Sequence, residues 1–273
     1  MSTVSQDKSV LTPAAFLIRG LAVGLVAGLL AFVVAFALGE PTIDDAIALE
    51  DAAAAQMTPQ EVAAEEAAAA EEDHSGMVAV SRDNQKSWGL LTGTVVVGAA
   101  LGGLTALAAA AVIGRLGNLS ARGSTALVAL LGFVSIVLVP FAKYPSTPPA
   151  VGDGETIGGR TASYFALVLI SVLAVIAAVV IANKLRARVD GWTATGIVAA
   201  GYIAVVAVAA ALLPSVNELG DFPADLLWYF RRSSLLTLMT LWAAIGVGLV
   251  ALLGRLHDTA TADANRRELA ANL

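Results

Sequence analysis

The chain is predicted to fold as an all-α integral membrane protein: a six-helix transmembrane bundle, N-in/C-in, with a long acidic loop after helix 1. Three observations predict this. Six stretches, residues 20–39, 87–114, 123–142, 161–183, 191–217 and 233–254, contain no Asp, Glu, Lys or Arg and run 20 to 28 residues each. A bilayer core of ~30 Å needs about 20 apolar residues at the helical rise, so each stretch is long enough to cross. The apolar fraction of 58% excludes an ordinary soluble domain. Barrel strands would be about 10 residues long and alternate in polarity, and these runs do neither.

Charge sets the orientation. The N-terminus, the 2–3 and 4–5 connections and the C-terminus together carry ten basic and five acidic residues. The other side carries six basic and seventeen acidic residues. The positive-inside rule places the first side in the cytoplasm, with both termini inside, as an even number of spans requires. The expected location is the bacterial cytoplasmic (inner) membrane, multi-pass.

Residues 1–13 are a short cytoplasmic lead, and residues 14–39 form the first span. Ala35-Phe36-Ala37 has the small-x-small form of a leader cleavage site, but the apolar run is longer than a leader's core, so it is read as a retained span. Gly20, Gly24 and Gly28 fall at four-residue spacing, and Gly89/Gly93 and Gly98/Gly102 repeat it in the second span. Small residues at that spacing let helix backbones approach closely. Packing within one bundle is the expected use, and a homo-oligomer interface the alternative.

Residues 40–86 form the acidic loop, with twelve Asp and Glu. Thr58-Pro59-Gln60-Glu61 has the form of a capping box, so a short helix is expected over 59–72. The cluster Glu71-Glu72-Asp73-His74 follows. Carboxylates attract hard divalent ions, and an imidazole adds affinity for later transition metals. The cluster reads either as a cation-capture site or as a solvated acidic helix end. Asp44 and Glu50 belong to a second acidic set, just after the first span.

The second and third spans, 87–114 and 123–142, lead to a Pro- and Gly-rich outer loop, 143–160, that includes Asp153. The fourth and fifth spans are 161–183 and 191–213. The outer loop 214–232 holds a third acidic set, Glu218, Asp221 and Asp225, with Arg231 and Arg232 behind it as possible salt-bridge partners. The aromatics of that loop suit an interfacial belt. The sixth span is 233–254, and 255–273 is a cytoplasmic tail containing His257.

With no cysteine, disulfides and thiolate metal sites are excluded. The spans lack ionisable residues, which counts against an autonomous proton-driven carrier. Thr92, Thr94, Thr105, Ser135, Ser171, Thr195, Asn217 and Thr240 are the candidate polar lining groups. An isolated Ser or Thr in such a helix more often bonds its own i−4 carbonyl than a substrate. There is no HExxH, Gly-x-Ser-x-Gly or P-loop, so the chain is not expected to be an enzyme. No permanently bound cofactor is expected either.

Four segments resemble the CbtA family, the larger membrane subunit of a predicted bacterial cobalt transporter, in its actinobacterial form. They are Gly39-Glu40-Pro41-Thr42-Ile43-Asp44-Asp45-Ala46-Ile47-Ala48-Leu49-Glu50 and Val80-Ser81-Arg82-Asp83-Asn84-Gln85. Then come Pro140-Phe141-Ala142-Lys143-Tyr144-Pro145-Ser146-Thr147-Pro148-Pro149-Ala150-Val151-Gly152-Asp153 and Leu213-Pro214-Ser215-Val216-Asn217-Glu218 with Phe222-Pro223-Ala224. The resemblance runs over roughly residues 14–255 and implies Co²⁺ as transported ion, in uptake that serves cobalamin synthesis. It also implies a small CbtB-like partner with one membrane helix and a histidine motif. The remaining expected partner is the lipid bilayer, with no nucleic acid. Family members often carry more histidine in the metal-binding loop, where this chain has His74 alone. The rival reading is a non-transporting structural scaffold subunit of a membrane complex. For metal contact the candidates are His74, Glu71, Glu72, Asp73, Glu218, Asp221, Asp44, Glu50 and Asp153.

Overall fold

The computed structural model describes residues 11–60, 80–117, 119–152 and 156–272. Among the described residues there is no strand, and six helices are long and apolar enough to cross a membrane. They are α1 (Pro13–Ala54), α2 (Arg82–Val112), α3 (Ala121–Lys143), α4 (Ile157–Leu185), α5 (Gly191–Leu212) and α6 (Ala224–Ala271). The ends of α1, α3 and α5 and the starts of α2, α4 and α6 lie at one end of the bundle, here called the acidic end.

Helix starts follow local chemistry. Thr12 caps α1 by accepting the Ala15 N–H at 3.2 Å, with Pro13 at the first helical position, where its missing N–H costs nothing. Ser81 and Ser120 cap α2 and α3 in the same way. Asp190 caps α5, accepting from the N–H groups of Trp192 and Thr193. The Thr193 hydroxyl, together with those amides, holds its carboxyl below the usual range.

Two helices outrun the uncharged stretches. α1 has 42 residues and α6 has 48, so at 1.5 Å per residue they reach ~63 and ~72 Å against a hydrocarbon core of ~30 Å. The continuation of α1, Glu40–Ala54, is helical where charge begins, because Ala, Leu and Glu are good helix formers. Ala46 on that continuation is fully buried, so this part of the helix is packed. Of the helix expected over 59–72, Pro59 and Gln60 are helical and the rest lies outside the described residues.

Three helices widen locally into π-turns: Ala35–Gly39 in α1, Gln85–Gly89 in α2 and Val134–Leu138 in α3. All three fall toward the acidic end. Two have a covalent cause. Pro41 and Pro140 each stand two residues beyond a π-turn, and the residue four before each proline, Ala37 or Ile136, is the turn's centre. A proline ring collides with the i−4 carbonyl of a regular helix and offers it no N–H. Widening the ladder, so that the Glu40 N–H reaches the Ala35 carbonyl and Val139 reaches Val134, moves that carbonyl aside.

The core is the α1–α2 seam with α6 laid on it. A Cβ placed on Gly20 would stand 2.5 Å from the Gly102 carbonyl oxygen, and one on Gly28 2.5 Å from that of Thr94. One on Gly24 would strike the Gly98 carbonyl closer still. Gly20, Gly24 and Gly28 and the pair Gly98/Gly102 are therefore consumed inside a single chain. Gly93 has nothing near it and takes no part. On α6, Ile245, Leu249 and Leu253 are fully buried beside Ala27 and Ala106. Gly248 makes room for Val23, and α3 joins through Gly132, which lies against the Trp242 ring. At the end opposite the acidic one, Arg122 of α3 pairs with Asp258 of α6 at 2.6 Å.

Helices α4 and α5 pack mainly on each other. Only 11% and 6% of their most apolar windows are buried, against 22 to 33% for the other four helices. One polar link crosses between them: the Ser171 and Tyr202 hydroxyls lie 2.8 Å apart, with Ser171 fully buried.

Candidate functional site

The spans offer little to a polar cargo. Thr94, Thr105, Ser135, Thr195 and Thr240 each donate to the carbonyl four residues back in their own helix, at 2.7 to 2.9 Å. That bond uses the hydroxyl proton and ties each oxygen to its own helix, so none of them donates to a cargo. An apolar groove between α3 and α6, lined by Ala129, Phe133, Met239 and Trp242, has no charged wall. It is a hydrocarbon contact and not an ion site.

The polar cavity lies at the acidic end, where residues 143–160 and 214–232 meet. It measures about 450 Å³. Lys143 and Tyr144 come from the end of α3, Arg160, Thr161 and Tyr164 from the first turns of α4, Asn217 and Glu218 from the α5–α6 connection, and Arg231 from α6. Several bonds stitch it together across long sequence separations. Lys143 Nζ donates to Ser215 Oγ at 2.8 Å, and the Tyr144 hydroxyl to the Pro214 carbonyl at 2.7 Å. Arg231 Nε donates to the Ser146 carbonyl at 3.4 Å.

Glu218 is held firmly. Its Oε2 accepts from Thr156 Oγ1 at 3.0 Å and pairs with the Arg160 guanidinium at 3.3 Å. Both charged side chains are about three-quarters buried, at 22% and 26% exposure. Thr156 stands at the start of α4 but gives its hydroxyl to Glu218 and makes no side-chain cap bond to the helix. The loop before it is shaped by backbone choice. Gly152 has φ of +106°, a conformation that favours glycine, and the Arg160 guanidinium lies in the space a Cβ would take. Ala150, at φ 64°, holds the left-handed conformation that costs an L-residue about 1 kcal/mol.

Among the described residues, the acids expected to contact metal are dispersed. Asp44 sits on the continuation of α1, where Arg82 bonds it at 3.1 Å and also pairs with the buried Glu40. Lys86 lies 3.9 Å from Asp44 and 3.4 Å from Asp83. The pairs to Glu40 and Asp44 clamp α1 to the start of α2, and Lys86–Asp83 lies within α2. Glu50 and Asp221 are exposed. Glu71, Glu72, Asp73, His74 and Asp153 lie outside the described residues. Among the described residues no group of three or more His, Asp or Glu is placed to hold a metal ion.

Sequence reasoning offered Arg231 and Arg232 as one alternative for the acids of their own loop, with ion handling as the other. Instead Arg231 bonds Ser146, Arg232 stacks 4.9 Å from the Tyr229 ring, and Arg160 from another helix meets Glu218. The basic residues of the acidic end were the missed signal. Six Lys and Arg stand on the side the positive-inside rule disfavours. Arg82 and Lys86 reach from α2 to acids of α1, Lys143, Arg160 and Arg231 line the cavity, and Arg232 meets an aromatic face.

Among known proteins, a family profile described as "Probable cobalt transporter subunit (CbtA)" matches residues 14–254. No curated protein and no solved structure matches the chain. The matched segment enters each of the six apolar helices and contains the whole cavity. On that extent of match, this multi-pass, all-helical chain belongs to the CbtA family.

Proposed function

We propose that the chain is the membrane component of a divalent transition-metal uptake system whose cargo is Co²⁺. The family match over residues 14–254 carries this reading. The acidic end faces outward and both termini lie in the cytoplasm of a bacterial cell, in keeping with the lopsided charge of the connections. Seventeen acids on the outer side raise the local concentration of cations. Glu71, Glu72, Asp73 and His74 form the first capture point, with Glu218, Asp221, Asp44, Glu50 and Asp153 behind them; an ion that reaches Glu218 or Asp44 must displace Arg160 or Arg82. The chain performs no catalysis and keeps no permanent cofactor.

The lack of ionisable side chains in the spans supports a subunit role. With no Asp, Glu, Lys, Arg or His in any of the six uncharged stretches, carboxylate or imidazole ligands for a desolvated ion must come from elsewhere. A small single-helix, histidine-bearing CbtB-like partner fills that need. The test is cellular cobalt and nickel accumulation at nanomolar supply, with the chain expressed alone and with that partner. Cobalt should rise only when both are present, and His74→Ala should lower uptake at limiting metal but not at saturating metal. Unchanged accumulation of both metals, with the protein verified in the membrane, would favour the scaffold role.

A further inference from the structure

Among the described residues, the cavity at the acidic end is lined by the wrong sign of charge for a bare cation. Among the described residues its walls carry three cations, Lys143, Arg160 and Arg231, and one carboxylate, Glu218. That carboxylate is engaged with Arg160 and Thr156. Lys143 and Arg231 bond neutral acceptors, the Ser215 hydroxyl and the Ser146 carbonyl, so neither bond offsets their charge. All three cationic side chains are partly buried, where screening by solvent is weaker than at an open surface. Lys and Arg bring only donors, and Thr161, Tyr164 and Asn217 add groups that can donate. A volume of about 450 Å³ is far more than one metal ion fills and falls within the range of small-molecule pockets.

We propose that this cavity binds an anionic oxygen ligand, a carboxylate or phosphate group, through Lys143 and Arg231. Two sources present that chemistry: a small soluble polycarboxylate, free or carrying the metal as a complex, and the phosphate of an anionic lipid headgroup. The inference is drawn from the cavity's own donors and charges and does not depend on which cargo the chain serves. It separates the two kinds of charge at this end. The exposed acids act on free cations in solution, and the recessed bases take an anion.

The test uses the purified full chain in phosphatidylcholine nanodiscs, with radiolabelled citrate and inorganic phosphate as probes. A parallel arm measures phosphatidylglycerol retained through purification. Lys143→Gln with Arg231→Gln removes both charges, and Lys143→Arg with Arg231→Lys keeps them. Saturable binding of citrate or phosphate should weaken by at least about tenfold in the charge-removing variant, as expected when charge-assisted hydrogen bonds are lost. The charge-keeping variant should stay within about threefold of the original chain on the same scale. Phosphatidylglycerol retained by the original chain, lost in the charge-removing variant and able to displace citrate would assign the site to a lipid headgroup. Equal binding of citrate, phosphate and phosphatidylglycerol by the original chain and the charge-removing variant would overturn the proposal. Equal loss in both variants would overturn it too, since shape and not charge would then govern binding. Metal uptake by cells is not read in this experiment, so its failure leaves the transport reading untouched.

Discussion

The α1–α2 seam and the α4–α5 hairpin are both pairs of apolar helices, and both contain glycines, yet one is the core of the molecule and the other hangs at its side. Spacing makes the difference. Gly20, Gly24 and Gly28 recur every four residues, which keeps them on one face, and Gly98 and Gly102 answer them from α2. Gly191, Gly196 and Gly201 of α5 recur every five residues, which turns each about 140° from the last at 100° per residue. They cannot line a seam, and a Cβ on any of them would meet nothing within 4 Å. In a bilayer, where lipid is as apolar as leucine, close backbone approach is what binds one helix to another. The same residue type is structural in one pair and idle in the other.

The largest expected effect tests that contrast directly. Gly24→Ala puts a methyl group into the Gly98 carbonyl and neighbouring backbone, which cannot swing away as a side chain would. It should cost about 3 kcal/mol or more, at the upper end of overpacking penalties. Gly201→Ala meets open space and should be neutral or stabilising by up to about 1 kcal/mol, the helix-propensity gain. Unfolding in sodium dodecyl sulfate, followed by circular dichroism, compares the two. Equal effects at both positions would remove the distinction between seam and hairpin.

A smaller effect is expected where the hairpin is tied to the rest of the molecule. Arg160 of α4 and Glu218 of the α5–α6 connection are linked at 3.3 Å and are mostly buried. A double-mutant cycle with Arg160→Gln and Glu218→Gln should give a coupling of about 1–2 kcal/mol, between the values of exposed and fully buried pairs. Faster hydrogen exchange in α4 and α5, with α1 and α2 unchanged, should accompany either single variant. Exchange that rises equally in all helices would show that the hairpin is not a separate unit.

The sequence made the six spans legible because a run without charge has one physical meaning at that length. The glycine seam was legible in its spacing, although only the structure decides that its partner lies within the same chain. The cavity was not legible, because its walls come from positions far apart in the sequence, such as Tyr144 and Glu218. Local reading paired Glu218 with the arginines nearest in sequence, whereas the fold supplied Arg160 from α4. The continuation of α1 through Glu40–Ala54 was hidden by its charges, which resemble those of a loop. Its buried positions, Glu40 and Ala46, show why the helix persists: charge clamps to α2 on one side and packing on the other replace the lipid.

The smallest expected effect lies inside the hairpin. The Ser171–Tyr202 hydroxyl pair is the polar contact seen to cross between α4 and α5 among the described residues. Hydrogen bonds between membrane helices average about 0.6 kcal/mol, because the separated helices find other partners. Ser171→Ala and Tyr202→Phe should therefore each cost about 0.6 kcal/mol, and the double variant no more than either alone. Additive losses would mean that the two hydroxyls act on different partners. A loss of several kcal/mol from Ser171→Ala alone would give the hairpin a polar lock of its own. Its integrity would then rest on one bond, where that of the α1–α2 seam rests on a row of backbone contacts.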